Sequence, residues 1–375
     1  MYRLNNSVFT FLCNFWNHKR SNMFSLPTKQ FFRKHVIILI SFLVFSGLTI
    51  YYMNAQNVTL LQPYIMHLGF ADNNISCHYI DGNDALPSAE DRDFIPRPNS
   101  IFFHETSCTG GLNSRQACGI ESAARAHPNR TVYVMFSAPV SDLVYQRSCI
   151  AKLRGFHNVR FARVHITDYT KNTPLEAMVA NRPFNKSQWR IEHTSDVLRY
   201  LTLYKWGGMY LDTDFVVMKS LTPLGGNWVA KETVNNLANA AIAISMDDQG
   251  RKLAEALLNE VKTTFRPDVW THNGPGAVTR VLHKMCNTSN IIKWSTTTCQ
   301  GLEVYGPEYL YPVHYSRNHE YFKPGELKNV ENAYAHHLWN KITHDMKIEK
   351  DSPYEKMAQK LCPTIYNMYG EEFGS

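Results

Sequence analysis

The chain has 375 residues and carries 39 Lys and Arg residues against 32 Asp and Glu residues, a formal net charge of +7. Six of the basic residues lie in residues 1–35, which contain no acidic residue, so the other 33 nearly balance the 32 acidic residues. A nucleic-acid-binding domain needs a basic face on its folded part. The charge distribution therefore argues against nucleic acid as a partner, and the length allows two average domains or one large α/β domain.

Residues 36–53 form an uncharged, apolar run of 18 residues that directly follows a basic cluster at positions 33–35. This length is at the lower end for a membrane-spanning helix, and the positive-inside rule keeps the basic side in the cytosol. A cleaved signal peptide is the alternative, but the preceding region is long and the candidate cleavage site near Ala55 is poor. We predict a cytosolic tail (1–35), a signal-anchor transmembrane helix (36–53) and a lumenal remainder, which is a single-pass type II topology.

The residues beyond the predicted anchor have the features of a lumenal protein. Residues 54–98 are polar and lack periodicity, which is typical of a stem, and residues 99–375 are expected to form the globular domain. Seven of the eight cysteines follow the anchor, and an odd number leaves at least one unpaired or paired between chains. We expect local disulfides between Cys108 and Cys118 and between Cys286 and Cys299. N-glycosylation sequons agree with a lumenal location and begin at Asn57, Asn74, Asn129, Asn185 and Asn287.

The globular part begins with a predicted strand, helix and strand at residues 100–105, 116–127 and 131–136. This order predicts a parallel βαβ unit, and nucleotides bind at the carboxyl ends of such strands. Glu105 and Thr106, at the end of the first strand, are therefore candidate uridine contacts, while capping of the following segment explains them equally well. One mixed-sheet α/β domain accounts for the further predicted elements, which are strands at 159–166, 228–231 and 240–245 and helices at 174–181 and 251–263.

An amphipathic helix that ends in a tight reversal is predicted after residue 193. Apolar side chains recur at helical spacing, and Thr194 or Ser195 can cap the free amide groups of the first turn. Gly207 and Gly208 follow, and glycine adopts backbone conformations there that β-branched residues reach only at a cost. The chain therefore turns from a helix into the apolar run that comes next.

Four charged residues flank this reversal and are candidate ligands. Asp196 and Arg199 share one helix face, so they either form a surface ion pair or present a carboxylate and a guanidinium to a sugar and a phosphate. Asp212 and Asp214 interrupt the apolar run 209–217, which predicts a strand with both carboxylates on one face. Two carboxylates on a buried strand favour a divalent cation between them, whereas a strand that ends there would leave both in solvent.

These residues carry a family resemblance. The motif Ser-Asp-x-x-Arg at 195–199 and the motif Gly-Gly-x-Tyr-Leu-Asp-x-Asp at 207–214 resemble the donor site of glycosyltransferases with a DXD sugar-binding region, glycosyltransferase family 32. More narrowly, the chain resembles the α-1,4-glycosyltransferase family in IFFHETS (101–107), CGIESAARAHP (118–128), NGPG (273–276) and HHLWNK (336–341). The matches keep their order along the chain. The resemblance implies a GT-A-type, Rossmann-like mixed α/β sheet.

The resemblance also implies a role for each residue in a metal-dependent transfer that retains the anomeric configuration. Mn²⁺ or another divalent cation would be bound by Asp212, Asp214 and His337, and Asp212 would also hold the ribose. Asp196 and Arg199 would fix the donor sugar, and no nucleophile is assigned. The other implied donor contacts are Glu105, Thr106, Tyr210, Trp339 and Lys341, the last two at the diphosphate, with residues 273–276 on the acceptor side.

The implied reaction transfers galactose or N-acetylgalactosamine from its UDP-sugar, in α-1,4 linkage, to a terminal β-linked sugar of a glycosphingolipid at the Golgi membrane. One alternative is an α-1,4-N-acetylhexosaminyltransferase that acts on glycoprotein glycans. An inactive lumenal relative that only binds sugar is another. A haloacid dehalogenase-type phosphatase is a third, since its nucleophile motif resembles residues 212–216, although that motif usually lies on the first strand. A homo-oligomer is compatible with the sequence.

Overall fold

The computed structural model describes residues 75–79 and 84–375. The strands there are β1 (Ile101–Glu105), β2 (Val132–Phe136), β3 (Val159–Arg163), β4 (Gly208–Leu211), β5 (Phe215–Val217), β6 (Trp228–Thr233), β7 (Asn236–Ile244), β8 (Glu303–Tyr305) and β9 (Ala335–His337). The α-helices are α1 (Ser114–Ala126), α2 (Asp142–Arg147), α3 (Cys149–Leu153), α4 (Ile166–Tyr169), α5 (Glu176–Ala180), α6 (Arg190–Trp206), α7 (Asp248–Thr264), α8 (Pro275–Met285), α9 (Pro307–Leu310), α10 (Asn340–Thr343), α11 (Pro353–Leu361) and α12 (Pro363–Tyr369). Short 3₁₀ segments lie at Ser76–Tyr79, Pro183–Lys186, Thr222–Leu224, Ile291–Lys293, Tyr315–Tyr321 and Gly370–Glu372.

The central sheet of this described region has seven strands in the order β3-β2-β1-β4-β7-β6-β8. Strands β3, β2, β1 and β4 are parallel, β7 runs antiparallel to both β4 and β6, and β8 is parallel to β6. The predicted parallel βαβ unit is confirmed, since Ile101 of β1 pairs with Val132 of β2 and α1 connects the two strands. The sheet is therefore mixed and the fold is α/β, with the carboxyl ends of the parallel strands at a common edge.

Apolar side chains cover both faces of the central sheet. Phe103 of β1 shares a buried cluster with Ile120 of α1, whereas Phe102 shares the opposite cluster with Leu201 of α6 and Leu257 of α7. Successive strand residues point to opposite faces, and every residue of β1 is buried. Burial contributes about 25 cal/mol for each Å² of apolar surface removed from water. Helices on both faces therefore hold the carboxyl edge of the strands in place.

Helix α6 begins one turn earlier than its sequence predicts. It starts at Arg190, so the predicted caps Thr194 and Ser195 lie inside the helix. The hydroxyl of Thr194 donates to the Arg190 carbonyl at 2.7 Å instead of capping an amide. The extra turn is held by His193, whose Nε2 lies 3.1 Å from the Trp270 carbonyl oxygen. A contact so distant in sequence leaves no trace in the local hydrophobic pattern.

The double glycine ends α6 as predicted. Gly207 and Gly208 have φ angles of 63° and 97°, in the left-handed region that favours glycine. A Cβ atom on Gly208 would lie 2.4 Å from the Ser100 carbonyl oxygen. Glycine is therefore required for the chain to leave α6 and enter β4 directly beside β1.

The prediction that residues 209–217 form one strand is wrong. Strand β4 ends at Leu211 in the central sheet, whereas β5 begins at Phe215 and pairs antiparallel with β9 in a separate two-stranded sheet. The Phe215 amide donates to the Asp212 carbonyl at 3.1 Å, which closes a turn between the two strands. Asp212 and Asp214 consequently lie in a turn at the sheet edge. The predicted strand is divided because β5 pairs with β9, which lies far along the sequence, and not with the central sheet.

Within residues 75–79 and 84–375, three disulfides join the cysteine pairs Cys77–Cys108, Cys118–Cys362 and Cys286–Cys299. The expected pair Cys286–Cys299 is confirmed, and the expected pair Cys108–Cys118 is wrong. Cys118 lies on α1, which packs against the C-terminal helices α11 and α12, so its partner comes from 244 residues farther along the chain. Among the cysteines that the structure describes, Cys149 is free and buried.

The described part of the predicted stem is docked onto the globular domain. Ile75, Leu86 and Ala89 are buried in its hydrophobic clusters, and Ser88 forms a β-bridge with Arg163 of β3. The predicted tail (1–35) and anchor (36–53) lie outside the described residues. None of the helices formed by residues 75–79 and 84–375 is both long and apolar enough to cross a membrane.

Candidate active site

The turn after β4 brings two aspartates to the carboxyl edge of the central sheet. The Asp212 amide donates to the carbonyl of Ala240 in β7 at 2.7 Å, which anchors the start of the turn. The carbonyl of Asp214 accepts the Leu338 amide at 3.0 Å, and its Oδ2 accepts the Asn340 amide at 2.7 Å. The turn is therefore held between the central sheet and residues 338–340.

Asp212, Asp214 and His337 form a cluster in which one ligand atom of each lies within 4.8 Å of the others. His337 reaches the cluster because β9 pairs with β5, with His337 opposite Phe215. Its Nε2 lies 3.2 Å from Asp214 Oδ1. Its Nδ1 is buried and has no hydrogen-bond partner among the residues that the structure describes. The pairing of two short strands thus assembles three ligands from segments far apart in sequence.

The ionisation of this cluster is set by burial and by the close neighbours. Burial disfavours the charged forms of Asp214 and His337, but their mutual attraction outweighs it, lowering the pKa of the carboxyl and raising the pKa of the imidazole. Burial raises the pKa of Asp212, although Arg199 opposes this shift. The two carboxylates also repel each other. A positive charge between the Asp212 and Asp214 carboxylates would relieve that repulsion.

This donor set fits a divalent cation. Two carboxylates and an imidazole are ligands that suit Mn²⁺ and related first-row metals. The ring atom of His337 beside the carboxylates is Nε2, which lies 3.2 Å from Asp214 Oδ1 and would be its ligand atom. Asp212, Asp214 and His337 are therefore the residues that could hold a metal ion in this site.

Arg199 is buried between the two acidic residues that precede and follow the double glycine. Its Nη2 lies 3.2 Å from Asp196 Oδ1, and its Nη1 lies 3.0 Å from Asp212 Oδ1. The guanidinium also donates to the Asn239 carbonyl at 2.8 Å and to the Ser195 hydroxyl at 2.8 Å. The side chains of Arg199 and Asp196 are only 5% and 8% exposed, which excludes an ordinary surface ion pair. Arg199 thus positions both carboxylates, and its donors are already occupied.

Tyr210 supports Asp212 from the central sheet. The Tyr210 hydroxyl donates to Asp212 Oδ1 at 2.5 Å and lies 3.1 Å from the Ser195 hydroxyl. The Arg199 guanidinium lies over the Tyr210 ring, 4.6 Å from its centroid. Tyr210 is fully buried. The Asp212 carboxylate is therefore held by both a phenol and a guanidinium.

Glu105 and Thr106 lie at the carboxyl end of β1 and are both buried. Glu105 Oε1 accepts the Ser107 amide at 2.9 Å, whereas Oε2 is buried without a partner within the described region. Burial raises the pKa of this carboxyl to about 7. The Thr106 hydroxyl donates to the Ile191 carbonyl at 3.1 Å. Neither residue caps α1, because the cap of α1 is Asn113.

The segment after β9 lies against both the acidic cluster and α6. The Trp339 ring packs edge-on against His337, with centroids 4.3 Å apart, and its Nε1 donates to the Val313 carbonyl at 3.0 Å. Lys341 forms an ion pair with Glu192 in the first turn of α6, and about half of the Lys341 side chain is exposed. His336 points away and contacts the Tyr321 hydroxyl at 3.0 Å. Burial lowers the pKa of His336 to about 4, as expected for a neutral core histidine.

Two family models cover most of the described chain. Residues 113–235 match the glycosyltransferase sugar-binding region containing the DXD motif, and residues 246–369 match the alpha 1,4-glycosyltransferase conserved region. Mouse lactosylceramide 4-alpha-galactosyltransferase is 31% identical over 280 residues, which are 72% of this chain and 76% of that protein. The chain belongs to the α-1,4-glycosyltransferase family. This membership removes the phosphatase alternative for residues 212–216.

A human relative agrees with the family assignment. Human alpha-1,4-N-acetylglucosaminyltransferase is 24% identical over 275 residues, covering 71% of this chain and 79% of that protein. Among solved structures, the galactosyltransferase LgtC with donor and acceptor sugar analogues is 15% identical, with a TM-score of 0.39, over 70% of this chain and 95% of that chain.

Sequence reasoning about this family member missed residues that contact the candidate site. Asn239 donates from Nδ2 to Asp196 Oδ1 at 2.8 Å, and Glu192 pairs with Lys341. A signal for Asn239 was present, since it is a polar residue inside the apolar run of β7, and buried polar residues need a partner. No comparable signal marks Glu192, which resembles any charged residue in the first turn of a helix.

Proposed function

We propose that this α-1,4-glycosyltransferase transfers galactose or N-acetylgalactosamine from its UDP-sugar to a terminal β-linked sugar of a glycosphingolipid, with retention at the anomeric carbon. The observation that carries the proposal is the convergence of Asp212, Asp214 and His337 beside the buried Asp196–Arg199 pair. The similarity to a lactosylceramide 4-alpha-galactosyltransferase supports a glycolipid acceptor. A GT-A-type catalytic domain and the site residues predicted from the sequence are parts of the same proposal.

Asp212, Asp214 and His337 would hold a divalent cation, with Mn²⁺ as our proposed ion. Such an ion, when bound, neutralises the charge that develops on a departing diphosphate. The chain prepares this site by holding the Asp212 carboxylate with Arg199 and Tyr210, so that little reorganisation is needed when the ligand arrives. The Asn340 amide fixes Asp214 in the same way.

The donor sugar would meet Asp196, whose carboxylate orientation is fixed on one side by Arg199 and Asn239. Because the Arg199 donors are occupied by protein groups, we assign Arg199 a positioning role and not a phosphate contact. Lys341 and Trp339 would contact the diphosphate, and Lys341 would then exchange its Glu192 partner for a phosphate oxygen. Glu105 and Thr106 would lie at the uridine.

Residues 36–53 are proposed to anchor the protein in the Golgi membrane, with the catalytic domain in the lumen. The three disulfides support a lumenal domain, because disulfides form and persist in oxidising compartments.

The test uses the full-length protein in detergent with Mn²⁺, radiolabelled UDP-galactose or UDP-N-acetylgalactosamine, and glycolipids that end in β-galactose or β-N-acetylhexosamine. We expect transfer of label from one donor, and loss of transfer with a chelator and in Asp214→Asn. The matched control is Asp168→Asn, because Asp168 is exposed and forms an ion pair with the likewise exposed Lys171, away from the site. Folded protein that binds UDP but neither transfers nor hydrolyses any donor would instead be the inactive sugar-binding relative.

A second candidate function is transfer of N-acetylglucosamine to glycoprotein glycans. The observation that favours it is the similarity to an alpha-1,4-N-acetylglucosaminyltransferase, although the identity is lower at 24%. Label from UDP-N-acetylglucosamine on a glycoprotein acceptor, with none on the glycolipids, would select this alternative.

A further inference from the structure

A series of hydrogen bonds connects Asp196, the candidate contact of the donor sugar, to the loop that precedes α8. Asn239 Nδ2 donates to Asp196 Oδ1 at 2.8 Å and to the Tyr200 hydroxyl at 3.2 Å. The Tyr200 hydroxyl donates in turn to the Gly274 carbonyl at 2.8 Å. Asp196, Tyr200 and Asn239 are all buried. This series of hydrogen bonds therefore runs through the protein interior, where hydrogen bonds are shielded from competing water.

The loop also touches the donor carboxylate directly. A Cβ atom on Gly274 would lie 2.5 Å from Asp196 Oδ1 and 2.7 Å from Asn239 Nδ2, distances that real Cβ atoms do not adopt. The backbone conformation of Gly274 has a negative φ of −97°, so the glycine is needed for close approach and not for a left-handed turn. A displacement of the Asp196 carboxylate would therefore alter its contact with the Gly274 backbone.

The residues that precede Gly274 form a loop that is closed by hydrogen bonds. Asn273 is fully buried and forms two hydrogen bonds with the Arg266 backbone. Its Oδ1 accepts the Arg266 amide at 2.9 Å, and its Nδ2 donates to the Arg266 carbonyl at 2.7 Å. His193 holds the other side of the loop through the Trp270 carbonyl. Trp270 itself is 41% exposed and lies at the outer surface of this loop.

We propose that Tyr200 and Asn239 are positioning residues that couple the loop at residues 266–276 to Asp196, so that a donor sugar bound at Asp196 orders this loop for the acceptor. The proposal rests on the proposed function for the identity of the two substrates. The structural basis is that Asp196 Oδ1 contacts both Asn239 and Arg199. The same oxygen lies directly beside the Gly274 backbone. A ligand that fixes this carboxylate also fixes the loop.

The test compares Tyr200→Phe, which removes one hydroxyl, with Tyr169→Phe as a matched control. Tyr169 is also buried and its hydroxyl lies 3.1 Å from Thr202 of α6, but within the described part of the chain it makes no hydrogen bond to the 266–276 loop. Hydrogen exchange of amides 266–276 is measured in the full-length protein with and without UDP-galactose and Mn²⁺, in the absence of acceptor. Affinity for the donor is measured by calorimetry on the same samples.

We expect the donor to slow exchange of the loop amides in the wild type and in Tyr169→Phe. In Tyr200→Phe this protection should disappear while the donor affinity stays within about twofold, because Asp196 keeps its bonds to Arg199 and Asn239. The acceptor KM should rise by on the order of tenfold, the effect of one lost buried hydrogen bond, with the donor KM little changed. A merely structural role would move both KM values together.

Asn239→Leu is the second variant, and it interrupts the same series of hydrogen bonds at its other end. It should also lose the protection of the loop, and it should additionally weaken donor binding because Asp196 loses its amide partner. Retention of full donor-induced protection in either folded variant would overturn the coupling. Absence of transfer by the wild type would count against the proposed function alone, since the exchange measurement requires only donor binding.

Discussion

His337 Nε2 lies 3.2 Å from Asp214 Oδ1, although the two residues belong to segments that are far apart in the chain. The contact follows from the antiparallel pairing of β5 with β9, which sets His337 opposite Phe215. Two hydrogen bonds to the Asp214 turn, from the Leu338 and Asn340 amides, reinforce it. The candidate metal site thus depends on a two-stranded sheet that lies beside the central one.

Metal affinity should depend on both members of this pair. We expect Asp214→Asn and His337→Gln each to weaken Mn²⁺ binding by at least about tenfold, since each removes one of three candidate ligands. Electron paramagnetic resonance of free Mn²⁺ measures the affinity without any turnover. His344→Gln is the matched control, because His344 is exposed and pairs with Asp345. Equal Mn²⁺ affinity in all variants would contradict the assignment of these ligands.

Arg199 should contribute to stability through its geometry as well as its charge. Arg199→Lys keeps the charge but removes the planar fork that reaches Asp196 and Asp212 together. We expect a loss of about 3 kcal/mol in the free energy of unfolding, the scale for disrupting a buried ion pair. Urea denaturation measures this loss. Arg266→Lys, in an exposed pair with Asp268, should change it by less than about 1 kcal/mol, and similar losses in both variants would refute the argument.

The disulfide Cys118–Cys362 should be the most stabilising of the described three, because it closes a loop with a sequence separation of 244 residues. The chain-entropy relation gives about 5.5 kcal/mol for a loop of this size. We expect the double substitution Cys118→Ala and Cys362→Ala to lower Tm more than Cys286→Ala and Cys299→Ala, which open a separation of 13 residues. Differential scanning calorimetry provides the comparison, and peptide mapping without reductant verifies the pairing. Equal decreases in Tm would show that loop size is not decisive here.

Acid should destabilise the protein through the buried histidine of β1. Burial, with a smaller effect of Arg199, lowers the pKa of His104 to about 3, whereas an unfolded histidine has a pKa near 6.5. Between these values the unfolded chain binds one more proton than the native state, so stability falls as the pH falls from about 6.5 towards 3. We expect His104→Gln to remove up to about 1.4 kcal/mol per pH unit from this slope. Denaturant titrations of both proteins from pH 7 to pH 4.5 measure it, and parallel slopes would disprove the effect.

Lys341 should bind the diphosphate in competition with Glu192. We expect Lys341→Ala to weaken UDP binding by about tenfold, as one charge-assisted hydrogen bond is lost. Glu192→Gln should strengthen UDP binding slightly, because it releases Lys341 from its ion pair. Calorimetry with UDP and Mn²⁺ measures both effects, and Lys347→Ala serves as the control for a general loss of positive charge. Weaker UDP binding in Glu192→Gln would argue against this competition.

Much of the fold follows from local patterns in the sequence. The order of apolar runs predicted the βαβ unit of β1, α1 and β2, because strand and helix periodicities differ and each is set by backbone geometry. The helix predicted at residues 251–263 forms as α7 and begins at Asp248, where the Asp247 side chain accepts the Gly250 amide. Gly207 and Gly208 ended α6 as expected. These features depend on residues within a few positions of one another.

The sequence by itself therefore determined the residue types at the site, the family and the local elements, since motifs and short-range backbone preferences are written into consecutive residues. The tertiary structure alone decided that β4 and β5 separate, that Cys118 bonds to Cys362, and that Asn239 contacts Asp196. Each of these results depends on pairing or packing between segments that the chain brings together only when it folds. Hydrogen bonds and burial between such segments act through space, so no pattern in neighbouring residues can encode their partners.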